Sequence, residues 1–83
     1  MPSTPSSLGD LPVGARAVIS ALGNARPVAR RLMELGLLPG TAVEVVRVAP
    51  MGDPLELRLR DYHLSVRREE ARLVAVREVA FAR

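Results

Sequence analysis

The chain of 83 residues contains no cysteine. That single absence excludes disulfides, thiolate metal centres and cysteine nucleophiles. Tryptophan is absent too, and Tyr62 and Phe81 are the only aromatic side chains. Any core must therefore be aliphatic, and the stacking platforms with which small barrels hold single-stranded nucleic acid are missing. Lysine is also missing, so all 12 basic residues are arginines. No apolar run approaches the ~18 residues that a membrane-spanning helix requires, so direct membrane insertion is not expected. The one histidine, His63, has no ligand motif around it. Asp53, Glu56 and Asp61 are available as carboxylate partners, but strand alternation does not make them converge, and no metal site or metal cofactor is expected.

What is present points to one folded domain. Hydrophobic residues make up 48% of the chain, too many for a disordered polymer, and the length leaves no room for a second core. The net charge of +3 arises from arginines interspersed with 9 acidic residues. Such a mixture makes solvated faces rather than a dense positive field, so no nucleic-acid partner is expected. Residues 1–7, Met1 to Ser7, are polar and proline-rich, without the basic and apolar regions of a signal peptide. They are expected to form a disordered N-terminal tail, with a domain over residues 8–83 and a cytoplasmic location.

Leu11-Pro12-Val13-Gly14 turns the chain into a first strand, Ala15 to Leu22, with Ala17, Ile19 and Ala21 on one face and Val18 and Leu22 on the other. Asn24 is suited to cap a following helix, with Pro27 in its first turn. Val28, Leu32 and Leu35 recur with helical period, and Gly36 ends the helix where a left-handed residue is wanted. "TAVEVVRV" alternates and then shifts face at Val46, as a bent or bulged strand does. "LELRLR" places Leu55, Leu57 and Leu59 on one face; "HLSVR" turns Leu64 and Val66 inward. "REEA" forms a single helical turn before a closing strand, Arg72 to Val79. The expected fold is mainly β: a closed, SH3-like barrel of about five strands with one inserted helix and a short helical turn near the C-terminus. An OB-fold competes, but its helix usually lies later in the strand order.

No chemistry is visible on this frame. Glu69 and Glu70 point apart on their turn, no glycine-rich loop opens a helix, and no catalytic residue stands out. Attention falls instead on two corners: Leu37, Leu38, Pro39 and Gly40 after the helix, and Pro50, Met51, Gly52, Asp53 and Pro54 between two strands. Prolines stiffen both, which lowers the entropy lost when a partner docks. A two-residue turn would have closed the second hairpin. The expectation is a partner-binding patch that joins both corners, with Leu38 and Met51 exposed and Arg47 and Asp53 as its polar rim.

At these residues the sequence resembles the FeoA family. The match is carried by "LGLLPG", "VVRVAPMGDP" and "LSVRREEA", in that order, and runs from Leu8 to Val79. The resemblance implies an SH3-like barrel with an inserted helix. It also implies a small cytosolic accessory protein of ferrous iron uptake, acting by protein–protein contact on FeoB, a membrane transporter with an N-terminal GTPase domain. Neither enzymatic activity nor a bound cofactor is implied, and weak self-association is compatible with it. A related barrel occurs as the C-terminal domain of iron-dependent repressors, but a repressor needs a helix-turn-helix for which this chain has too little helix. A free-standing nucleic-acid-binding barrel is the other alternative, to be recognised by steep salt dependence.

Overall fold

The computed structural model describes residues 7–23 and 27–81; the expectations for residues 1–6 and for Asn24 as a helix cap lie outside them. Five antiparallel strands form one sheet: β1 (Ala15–Leu22), β2 (Ala42–Val48), β3 (Leu55–Leu59), β4 (Tyr62–Val66) and β5 (Val74–Phe81). Helix α1 (Pro27–Glu34) is inserted between β1 and β2, and the single turn α2 (Arg68–Ala71) precedes β5. The hydrogen-bonded order is β4-β3-β2-β1-β5. This is the expected mainly β architecture, with one change: β4 and β5 end the order without pairing to each other, so the barrel is partly open. A short 3-10 turn, Leu8–Asp10, lies beside α2 and β5, and Leu8, Leu11 and Ala71 are buried in the same aliphatic core as the strands.

Local irregularities decide which side chains enter the core. The β2–β3 register shifts between Val45 and Arg47, where the alternation of "TAVEVVRV" changes face. The β1–β5 register shifts twice, once between Ile19 and Ala21. Ala21 is therefore exposed rather than aligned with the buried Ala17 and Ile19. β3 keeps its period, so Leu55, Leu57 and Leu59 are all buried. The closing strand starts two residues later than the sequence suggests, because Arg72 caps α2 through its amide. It continues to Phe81, which pairs with Ala15.

Helix α1 ends in a Schellman motif. The Leu37 amide donates to the Leu32 carbonyl at 3.0 Å and the Gly36 amide to the Met33 carbonyl at 3.0 Å. Gly36 takes φ +112°, a conformation that residues with a Cβ rarely adopt. The motif brings the residue after the glycine back over the last helical turn, and both Leu32 and Leu37 are fully buried in the core. Two expectations are corrected here. Leu35 lies beyond the last helical residue, Glu34, so the helical period no longer governs it and it is exposed. Leu37, expected on the partner surface, is a core residue.

Tyr62 lies directly over Gly36, and its hydroxyl donates to the Leu35 carbonyl at 2.9 Å. A Cβ at position 36 would come within 1.9 Å of that hydroxyl. Gly36→Ala should therefore cost about 1–2 kcal/mol through the backbone and more through displacement of the ring. Urea unfolding checks this. In a Gly36→Ala/Tyr62→Ala pair the steric part should vanish, so the two losses should sum to more than the double variant shows.

Candidate functional site

The two corners expected to form one patch lie at different ends of the strands. Leu38, Pro39 and Gly40 precede β2; Pro50 to Pro54 follow it. The first corner is tied to β1, with the Gly40 amide donating to the Ile19 carbonyl at 2.7 Å, and it follows the Leu35–Gly36 segment against which Tyr62 rests. The second is tied to Arg68, six positions beyond Tyr62 along β4 and the extended Arg67. Six extended residues span about 20 Å. A single continuous patch over both corners is thus not what the fold builds.

The first corner is the more apolar. Met33, Leu35, Leu38 and Tyr62 are between 39% and 46% exposed, and they account for most of the large exposed hydrophobic side chains among the described residues. Three of them lie within one turn of the Schellman motif, and the fourth is fixed to Leu35 by a hydrogen bond. Pro39 and Gly40 complete the corner, both exposed, with Gly40 at φ +91°.

The second corner is a rigid loop with one projecting side chain, Met51, at 93% exposure. Its interior is hydrogen-bonded: Gly52 N–H to the Ala49 carbonyl at 2.7 Å, and Ala49 N–H to the Pro54 carbonyl at 3.1 Å. Gly52 has φ +89°, as a tight turn requires. Asp53 is exposed, but its carboxylate is already engaged within the chain. Its Oδ1 accepts from the Arg68 amide at 2.8 Å, at the start of α2, where the preceding Arg67 supplies no side-chain cap. Asp53 caps that turn from across the chain. Arg47 stands opposite Glu56 in the β2–β3 ladder and lines a shallow depression of about 200 Å³ with Ala49, Pro54, Glu56 and Ser65. Arg47 and Pro54 are therefore neighbours, while Pro50 is exposed.

Arg68 is half-buried and holds three segments together. Its Nε donates to the Gly52 carbonyl at 3.0 Å and its Nη1 to the Gly9 carbonyl at 2.5 Å. One half-buried guanidinium thus joins the N-terminal 3-10 turn, the Pro50–Pro54 loop and α2. Gly9 is required by this packing, since a Cβ there would meet the Arg68 carbonyl at 2.9 Å. No group of three or more His, Cys, Asp or Glu comes together among the described residues. Nor is any helix among them long and apolar enough to cross a membrane.

A model of the FeoA domain family matches residues 6–78 of this chain. A fused Fe(2+) transport protein A/Fe(2+) transporter FeoB from Porphyromonas gingivalis is 36% identical over 69 residues, a match covering 83% of this chain and 8% of the fusion. The chain thus spans only a small part of that relative's length. Among solved structures, the FeoA-like protein of Clostridium acetobutylicum superposes with a TM-score of 0.82 at 33% identity, over 87% of this chain and 84% of that one. FeoA of Stenotrophomonas maltophilia in complex with zinc, a prokaryotic SH3 domain protein, superposes with a TM-score of 0.82 at 28% identity, over 95% of this chain and all of that one.

Asp53→Ala should cost about 1 kcal/mol, the value of a lost helix cap, and should speed hydrogen exchange at the Arg68 amide. Asp53→Asn, which keeps an acceptor oxygen, should retain most of both. Equal protection of that amide in wild type and Asp53→Ala would mean the cap contributes nothing.

Proposed function

The chain belongs to the FeoA domain family, and from that premise we propose that it is an accessory protein of ferrous iron transport that binds the cytosolic face of a FeoB-type transporter. It acts from the cytoplasm by docking and carries out no catalysis of its own. The P. gingivalis relative supports this reading, because there the two components share one polypeptide. Covalent linkage of that kind raises the effective concentration of one binding partner at the other.

The observation that carries the proposal is the apolar corner at the end of α1. Leu38, Pro39 and Gly40, with Met33, Leu35 and Tyr62 beside them, present exposed hydrophobic side chains on backbone that the Schellman motif holds rigid. Clustered exposed apolar side chains mark interaction surfaces when they form a patch of a few hundred Å², and a preformed backbone lowers the entropy of docking. The Pro50–Pro54 loop, with Met51 at its tip and Arg47 at its base, is assigned a secondary contact. Its one projecting methionine offers less area than the corner.

Leu38→Asp should weaken binding to the isolated cytosolic domain of a FeoB-type transporter by about 2–4 kcal/mol, the range of a hot-spot loss, as measured by calorimetry. Met51→Asp should cost less than half as much. Leu38→Asp should leave the unfolding midpoint nearly unchanged, whereas Leu37→Asp, one residue earlier, should abolish folding because it buries an unpaired carboxylate. Unaltered affinity of a folded Leu38→Asp protein would remove the corner from the interface. Concentration-dependent sedimentation lost in the same variant would instead assign the corner to self-association.

A further inference from the structure

A second feature lies on the outer face of the sheet, toward the end of the strands that carries the apolar corner. Glu44 on β2 stands opposite Arg16 on β1 and opposite Arg58 on β3. Directly opposed residues share a face of the sheet, so these three side chains form a row across the exposed surface. Arg60, just past the end of β3, extends the basic group. Together with Ala42 and Val43 these residues line an open depression of about 210 Å³. Three guanidiniums meet one carboxylate there. Glu44 is already engaged by Arg58, and among the described residues Arg16 and Arg60 have no carboxylate within 4.0 Å.

Arg60 is also in an unfavoured conformation. It is the first of the two residues that link β3 to β4, and it takes φ +50°. Two-residue hairpin links favour glycine or asparagine at that position because of the positive φ. Residues held in sparsely populated conformations tend to gather at functional sites. The strain here sets a guanidinium at the mouth of the depression.

We propose that this depression is a carboxylate-binding site that receives an acidic segment of a protein partner. The chemistry favours carboxylates over phosphate for two reasons. Arginine forks match the two oxygens of a carboxylate in a bidentate arrangement. Phosphate sites, in contrast, usually recruit free backbone amides, and here every lining residue except Arg60 lies within a paired strand. Ala42, exposed on the same face as Glu44, offers the methylene groups of a glutamate an apolar contact. Position supports the reading: Ala42 follows Gly40 by two residues and Arg60 precedes Tyr62 by two, so the basic depression lies toward the same end of the strands as the apolar corner. An apolar centre with a charged rim is the usual anatomy of a protein interface. The inference deepens the docking reading and rests on it for the identity of the partner, whereas the site itself is tested with a simple peptide.

The test is a titration of the isotopically labelled chain with a capped hexapeptide of alternating glutamate and glycine, followed by NMR at the arginine Nε–H and backbone amide signals. Shifts should concentrate at Arg16, Arg58, Arg60 and Ala42. Arg16→Ala combined with Arg60→Gly should weaken peptide binding at least tenfold, while Arg30→Ala on the outer face of α1 should change it less than twofold. Arg60→Gly alone should raise the melting temperature, because it relieves the positive φ, and still weaken the peptide. A purely structural role for Arg60 would not produce that opposition. Shifts spread evenly over all arginines, or undiminished affinity in the double variant, would overturn the proposal. Inorganic phosphate binding to the same residues more tightly than the peptide would overturn it in favour of a phosphate site. None of these outcomes depends on whether a transporter domain binds at the apolar corner.

Discussion

Gly36 is the constraint on which the proposed docking surface depends. With φ +112° it lets α1 close with two nested hydrogen bonds. That closure decides between neighbouring leucines: Leu37 is carried into the core against Leu32, while Leu35 and Leu38 are left facing solvent. The same glycine is bare enough for the Tyr62 ring to rest on it and reach the Leu35 carbonyl. Any other residue there would lift the tyrosine and strain the turn. One missing side chain thus links helix termination, core filling and the shape of the exposed corner.

The opposite end of the sheet is organised by a charge rather than an absence. Arg68 satisfies the carbonyls of Gly9 and Gly52, and its own amide is satisfied by Asp53. A partly open barrel with an aliphatic core has little area to spare. Pinning the N-terminal turn across the gap keeps Leu8 and Leu11 inside. The Arg31–Glu70 ion pair adds a tether between α1 and α2, though exposed pairs contribute little individually. Both ends are therefore rigid, but only the α1 end is broadly apolar.

Much of the frame was legible in the sequence, because it rests on periodicity and on glycine. The clean alternation of "LELRL" became β3 with its three buried leucines, and the face shift in "TAVEVVRV" became a register shift. The site was less legible. "LMELGL" carries the pattern of a Schellman motif, leucines flanking a glycine at the right distances, and reading it fully would have put Leu37 inside and Leu35 outside. Continuing the helical period past Glu34 gave the reverse. Arg68 had no local signal at all, since its partners at positions 9 and 52 are distant in the chain. The separation of the two corners likewise depends on the length of β2 and β4 in space, which loop composition does not report.

The α1 corner as the partner-facing surface is the central claim, and NMR mapping tests it most directly. The isotopically labelled chain would be titrated with the unlabelled cytosolic domain of a FeoB-type transporter. Backbone signals of Leu35, Leu38, Gly40 and Tyr62 should shift or broaden first and most, with the amides of Met51 to Asp53 affected weakly. Perturbation centred on the Met51 loop, or none at saturating domain, would contradict it.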